Sequence, residues 1–421
     1  MTGPMTDTDV AIVGAGAAGL AAAKMLGEVG VPFVLLEASH RIGGRAYTEK
    51  VGNGAPFDLG CHWMHSASRN PFVAIADAQG FDYDKHGHAG RGLIDGVWTS
   101  AAEEAEFETF KARNSEAIAR AAASGPDVAA AKVTERENRW TLLHDYFFSL
   151  WTSFDIDRVS IVDLETYIDT DENWPLKQGY GSLVARHAAG VPVTLNAQVT
   201  AIDWSGKALR LTTPKGEIRA KKVIVTVSTG ILAGGHIRFD PALPDWKQEA
   251  VAGLPLGDHN RICLIYDRDV FGTEMPRGVA LLNEGAEPMS FNIRPFGYDY
   301  VVGLTGGRFA GWLERAGVAA SVDLAKENLR KAFGADIVKH VVGHNVTAWR
   351  EDPWVRGAYS AALPGQTPQR ARLAEPLDER LFFAGEATSI ESYSTAHGAH
   401  LSGIEAAREV ARALGYTQDL T

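Results

Sequence analysis

Asp9-Val10-Ala11-Ile12-Val13-Gly14-Ala15-Gly16-Ala17-Ala18-Gly19 is the stretch on which the fold turns. Its first five residues are a short apolar, β-rich run that predicts a buried parallel strand. The glycines follow at once. Gly14 allows a tight turn, Gly16 lets backbone approach a pyrophosphate, and Gly19 lets helix and strand pack closely, with Ala18 beside them. Ala17 to Val29 has the alanine and leucine content of a helix, whose N-terminus would turn free N–H groups and a positive dipole end towards phosphates. Val31 to Leu36 reads as a second strand. It ends at Glu37, about twenty residues past the turn, where the fingerprint places an acid for ribose hydroxyls. A glycine run alone would predict a turn; with strand, helix and acid around it, it predicts a Rossmann-like dinucleotide site in an α/β fold.

The motif does not separate NAD from FAD. Arg45, at the end of Arg41-Ile42-Gly43-Gly44-Arg45, favours FAD, since a guanidinium there can pair with a pyrophosphate bidentately; the alternative is a surface cation. At 421 residues the chain is too long for one ordinary core and predicts two domains. With 45% hydrophobic and 22% charged residues it reads as soluble and globular. Cys61 and Cys263 make neither a disulfide framework nor a metal site, which fits a cytoplasmic protein. The apolar run Val10 to Ala23 follows Asp7 and Asp9 rather than Lys or Arg, so it predicts neither a signal peptide nor a membrane span. Met5 is an alternative start. A net charge of −11 argues against a nucleic-acid partner. It mildly favours cationic ligands, with plain solubility the leading explanation.

Farther along, Glu103 to Phe154 predicts a helical insertion. Trp140, Leu143, Phe147, Leu150 and Trp151 follow a 3.6-residue rhythm and read as core rather than substrate wall. Val191 to Val199 predicts a strand, Lys207 to Ile218 a hairpin and Lys222 to Val227 a further strand. Residues from about 236 to 345 mix strands (Arg261 to Tyr266, Tyr300 to Leu304) with an amphipathic helix, Val322 to Phe333. Leu381 to Gly385 is again a buried strand, leading through Glu386 and a polar loop to a last helix, Ala399 to Leu414.

Several of these segments together resemble the flavin amine oxidases over most of the chain, and the polyamine oxidases in particular. They are Asp58-Leu59-Gly60-Cys61-His62-Trp63-Met64-His65, Trp349 with Pro353-Trp354, Gly357-Ala358-Tyr359-Ser360, Gly385-Glu386-Ala387-Thr388 and Tyr393-Ser394-Thr395-Ala396-His397-Gly398-Ala399. The resemblance implies an FAD-binding Rossmann-like domain from residues 1–80, 175–235 and 375–421. A second, α+β substrate domain would comprise 81–174 and 236–374. It implies that Glu37 and Arg45 hold ribose and pyrophosphate, that the Val199 backbone meets the adenine and Glu386 the sugar chain, and that residues 60–63 with Thr395-Ala396 line the isoalloxazine. Trp349 and Gly385 belong to the same cofactor set. Ala358 stands where some relatives carry a flavin-linking cysteine, so FAD is expected to be non-covalent.

The reaction implied is oxidation of an amine C–N bond. Hydride passes from the α-carbon to flavin N5, the imine hydrolyses to an aldehyde, and O2 reoxidises the flavin to give peroxide. The amine must be neutral, so the pocket should be apolar and partly dry. Tyr359 is expected as an aromatic wall beside the flavin, or else as a buried strand tyrosine. Thr395 holds the place of a second aromatic and leaves the cage half open. His65 could hydrogen-bond the substrate nitrogen with a pKa near neutrality, or be a satisfied structural histidine. His62 and His397 read as packing or flavin-adjacent structure, and Cys61 as a small apolar filler. Arg261, within Gly257-Asp258-His259-Asn260-Arg261-Ile262, stands where the family segment carries a lysine that holds a water by N5. It could hold or move that water, or lie exposed at a strand start.

The expected partners are a small-molecule polyamine or other alkyl amine and O2, with no membrane and a monomer or homodimer. Alternatives are another flavoenzyme on the same scaffold (an amino-acid oxidase, a desaturase, or an amine dehydrogenase with a different acceptor) and a weakly catalytic flavin-binding partner.

Overall fold

The computed structural model describes residues 6–86 and 90–416; the alternative start, Met5, lies outside them. The opening unit is strand β1 (Thr6–Val13), helix α1 (Ala17–Glu28) and strand β2 (Phe33–Leu36). β1 and β2 pair in parallel from Val10↔Phe33 to Val13↔Leu36. Val10, Ile12 and Leu35 pack with α1 on one side of the sheet, and Ala11, Val13 and Leu36 pack into a second core on the other. Burial on both faces is why this run is continuously apolar rather than alternating.

The rest of that sheet comes from far along the chain. Its order is Arg238–Asp240, Ala201–Asp203, Leu209–Thr213, Gly216–Val225, β1, β2, with Leu381–Phe383 against the end of Gly216–Val225. The expected hairpin arm and the strand after it are therefore one strand. Its first half pairs with Leu209–Thr213 and its second half with Leu381–Phe383. The last helix starts earlier than expected, at Ala396, and packs along α1.

Val191 to Val199 is not a strand; its bridge to β2 is confined to Leu36↔Thr194. Pro192 has no N–H to give a ladder, and Asn196 turns the chain at φ +51°. The segment nevertheless runs beside β2. Glu37 N–H donates to the Thr194 carbonyl at 2.9 Å and Ala197 N–H to the Glu37 carbonyl at 2.8 Å.

A second sheet has the order Val341–Val346, His259–Tyr266, Tyr300–Gly306, Met289–Ile293, Gly278–Leu282, Gly90–Ile94, Val97–Trp98. One face carries Ile262, Leu264, Phe291 and Val301 against Val322, Ala325 and Leu329 of the helix Val318–Phe333. On the other face Cys263, Val302 and Leu304 meet Val51, Ala55 and Phe57. Strand alternation thus sends Arg261, on the same side as Cys263, away from the helix and towards residues 57–63.

The helical insertion comprises Ala101–Ser124, opened by a Ser100–Glu103 capping box, and Thr141–Thr152. Among the described residues no helix is long and apolar enough to cross a membrane.

Candidate active site

One cavity of about 500 Å³ collects the residues singled out above. It is lined by Gly14, Gly16, Ala18, Glu37, Arg45, Gly60, Cys61, His62, Trp63, His65, Val199, Arg261, Trp349, Tyr359, Gly385, Glu386, Thr395 and Ala396. Gly19 lies behind it, where a Cβ would stand 1.8 Å from the Gly14 carbonyl oxygen. This glycine serves the contact between turn and helix. Gly16 differs: nothing of the protein lies within 4 Å of a Cβ built there, and the space belongs to the cavity. Gly16 is also the N-cap of α1 and no side chain caps that helix, so its first N–H groups await an acceptor. That is a cradle for a phosphate, and the glycine end fits the expected FAD.

Glu37 is buried, and its carboxylate accepts from Ala15 N–H at 2.7 Å and Ser39 N–H at 2.9 Å. It closes the turn while facing the cavity. Arg45 donates to Glu386 at 2.9 Å and to the Ala358 carbonyl at 2.6 Å. The Glu386 carboxylate also accepts from the Ser360 hydroxyl at 2.6 Å, Ser360 N–H at 3.2 Å and Ser394 N–H at 3.0 Å. Burial raises its pKa, but Arg45 and Ser360 outweigh burial and hold it below the ordinary carboxylate value. Beneath it lies a buried pair that the sequence reading missed. Arg370 grips Asp163 with two bonds of 2.7 and 2.8 Å, reaches the Ser360 hydroxyl at 3.1 Å, and stacks 3.7 Å from the Tyr393 ring centroid.

Asp58 is a second hub. Its buried carboxylate accepts from Thr48 Oγ1 at 2.5 Å, His62 Nδ1 at 2.9 Å, and Tyr180 N–H at 3.1 Å and Gly181 N–H at 3.3 Å, which open the helix Tyr180–His187. Its carbonyl accepts from Arg261 Nη1 at 2.9 Å. Arg261 is 3% exposed, which removes the surface alternative, and its guanidinium carbon lies 5.5 Å from the Trp63 ring centroid. Burial lowers its pKa from the ordinary arginine value, yet a guanidinium keeps its proton. Asp58 was inside a quoted motif, but a buried carboxylate's partners come from other segments and leave no local trace.

Of the other candidates, Tyr359 donates its hydroxyl to the Leu150 carbonyl and approaches His259 Nδ1 at 3.2 Å, so its ring is fixed in the wall. His65 Nδ1–H donates to Asn173 Oδ1, which leaves Nε2 as an acceptor. Burial holds His65 below the ordinary histidine value, so the expected near-neutral titration gives way to a neutral ring. His62 is lowered likewise, burial outweighing its Asp58 bond, and His259 is pushed down to about 3 by burial and then by Arg261. Thr395 caps the last helix, its hydroxyl accepting from Gly398 N–H at 3.0 Å and donating to the Ser392 carbonyl at 2.7 Å. Its hydroxyl is thereby engaged within the protein. Burial raises the Cys61 thiol, which keeps it un-ionised.

The far end of the cavity is more aromatic than the sequence suggested. Leu150 and Trp151, read as core, line it together with Tyr167 and Tyr393. Trp151 and Tyr167 meet edge-on at 6.2 Å, and Tyr167 and Tyr393 at 5.3 Å. A helical period shows which residues share a face but not what the face meets: Leu150 does pack against two buried clusters while also lining the cavity, whereas Trp151 is half-exposed.

The family described as flavin containing amine oxidoreductase matches residues 17–411. Polyamine oxidase 4 of Oryza sativa subsp. japonica is 28% identical, with 95% of this chain and 88% of that protein covered. Probable polyamine oxidase 4 of Arabidopsis thaliana is 28% identical, over 96% of this chain and 87% of that protein. Among solved structures, a double mutant of putrescine oxidase superposes with a TM-score of 0.80 at 18% identity, covering 97% of this chain and 100% of that one. At that identity the last likeness speaks for the fold, and the fold is the same two-sheet α/β architecture.

Proposed function

The chain belongs to the flavin-containing amine oxidoreductases and is an FAD-dependent enzyme; from that premise we propose that it oxidises the C–N bond of an alkyl amine, polyamines included among the candidates. The imine hydrolyses to an aldehyde, and O2 takes the electrons to give hydrogen peroxide. The observation that supports this reading is a single cavity running from an uncapped helix N-terminus to an aromatic chamber whose histidines are neutral.

When bound, FAD supplies the two-electron acceptor for the amine's α-carbon hydrogen. Gly14, Gly16 and the α1 N-terminus would cradle its pyrophosphate with Arg45, while Glu37 would hold the ribose. Val199 would stand by the adenine, Glu386 by the sugar chain, and residues 60–63 with Thr395-Ala396 by the isoalloxazine. Ala358 has no sulfur with which to form a covalent link.

The chamber's part is to select the neutral amine. Burial disfavours an ammonium, and the fixed Arg261 charge repels one. The His65 Nε2 lone pair can accept the N–H of the neutral amine and aim its nitrogen. The Tyr359 ring, pinned by its hydroxyl, holds the opposite side. Arg261 would steady a water for imine hydrolysis, and its positive charge favours arrival of negative charge at that end of the cavity.

Anaerobic mixing of the yellow holoenzyme with an amine panel, followed by air, tests this. One or more amines should bleach the flavin band, and air should restore it with peroxide released. If no amine bleaches it, or only amino acids do, the proposal is wrong.

A further inference from the structure

We propose that the substrate is a monoamine with an aryl or similarly flat apolar body, rather than a polyamine. This rests on the amine-oxidising reading above and concerns the chamber opposite the glycine turn.

The argument begins with charge. Among the described residues, three carboxylates line the whole cavity: Glu37, Asp352 and Glu386. Glu37 closes the glycine turn. Asp352 stands in the turn that places the Val355 carbonyl on the Ser228 hydroxyl at 2.6 Å, and it accepts from Trp354 N–H at 2.8 Å. Glu386 already holds Arg45, two serine N–H groups and a serine hydroxyl. Glu37 and Glu386 are engaged within the protein, and Asp352 belongs to the turn against Ser228 rather than to the aromatic chamber.

The chamber itself holds Trp63, His65, Leu150, Trp151, Tyr167, His259, Arg261, Tyr359 and Tyr393. Among the described residues lining it, the one formal charge is the Arg261 cation. His65 and His259 are neutral donors or acceptors, not counter-ions. Asp169, whose charge reaches Tyr167 and His65, and Glu165, whose charge reaches Tyr393, are exposed and lie outside the lining, so both act on the chamber from its solvent side. A polyamine carries several ammonium groups. To place its reacting nitrogen beside Tyr359 it would have to desolvate at least one more of them next to an arginine, with no carboxylate among the described residues lining the chamber to answer it. A monoamine needs to lose only one proton.

Shape agrees with charge. Trp151, Tyr167 and Tyr393 are joined edge to face at 6.2 and 5.3 Å. Trp63 and Tyr359 stand on the Arg261 side, and Leu150 bridges the two groups through its carbonyl bond to Tyr359. Ring faces and edges in that arrangement are complementary to a flat apolar body. Trp151 is 46% exposed, so it stands at the mouth, where truncation leaves the core intact.

The test is rapid anaerobic mixing of holoenzyme with phenethylamine, benzylamine, tryptamine, butylamine, putrescine, spermidine, spermine and L-phenylalanine, following the flavin band over a concentration series. An arylalkylamine should show an apparent Kd at least about tenfold tighter than any di- or polyamine, a ~1.4 kcal/mol difference. In Trp151→Ala the KM for the best arylalkylamine should rise about tenfold, several-fold more than the KM for butylamine, while FAD content stays at the wild-type level. Faster or tighter reduction by a polyamine would overturn the inference and leave the amine-oxidase reading standing. L-Phenylalanine as the best reductant would overturn it too, showing Arg261 paired with a carboxylate. Silence from every amine would remove both readings.

Discussion

The two ends of the cavity are built on opposite plans. The glycine end is backbone: a turn, an uncapped helix and the absence of side chains make room for phosphates. The aromatic end is side chains, delivered by residues 63–65, 150–151, 167, 259–261, 359 and 393 and held by two buried carboxylates, Asp58 and Asp163. A site made of backbone is defined by what cannot be added to it. A site made of side chains is defined by what holds each of them in place.

Paired glycine substitutions give the sharpest contrast. In Gly19→Ala the new Cβ meets a backbone oxygen at 1.8 Å, so the turn must open at a cost of ~3 kcal/mol or more. We expect little soluble protein and almost no bound flavin. Gly16→Ala meets no protein atom within 4 Å, and its φ of −76° suits alanine. It should keep the wild-type Tm and lose FAD affinity by an order of magnitude or more. Unchanged FAD titration in Gly16→Ala would show that the cradle is not where the phosphates sit.

On the aromatic side, Asp163→Asn leaves Arg370 buried without its counter-charge. Removing one partner of such a pair costs ~3–5 kcal/mol, and because Arg370 underlies Tyr393 and Ser360, flavin fluorescence should change as well as the urea midpoint. A loss below ~1 kcal/mol would mean the pair carries no structural weight.

The last helix touches both ends, and its buried histidines set a pH limit. Burial pushes His397 down to about 3 and His400 to about 4. An unfolded histidine titrates near 6.5, so below that value the unfolded state binds more protons. Stability is then full above about pH 6.5 and falls towards pH 4, by ~2 kcal/mol per histidine at pH 5. Urea unfolding at pH 7 and 5 should show His400→Gln losing less than wild type on acidification. Parallel losses would exclude His400 as a source.

The smallest effect expected lies at the seam. Arg261→Lys keeps the charge but not the planar fork. FAD content should stay unchanged while flavin reoxidation shifts several-fold. Equal oxygen rates in the two proteins would take Arg261 out of the oxidative half of the reaction.

The same contrast explains what the sequence could tell. β1, the glycine turn, α1 and Glu37 were legible because each acts within a local span. The residues expected along the cavity were found through motifs, and the cavity gathers them. Val191–Val199 was misread because its apolar alternation is real, while Pro192 and Asn196 deny it a ladder. Trp151 was assigned to the core because periodicity marks a face without naming its neighbour. Asp163 and Arg370 carried no signal at all, since their partnership exists only after folding.

The ion pair of Arg45 with Glu386 joins two loops 341 residues apart in the chain. The strand Leu381–Phe383, just before that glutamate, also completes the first sheet. A ribosome must therefore release the chain at least through Glu386 before the dinucleotide compartment can shut, so the phosphate turn waits on a loop 341 residues downstream. Any message interrupted upstream of Leu381 yields a product with an intact phosphate turn but an open sheet edge, and such a product is a client for proteolysis rather than a partial enzyme.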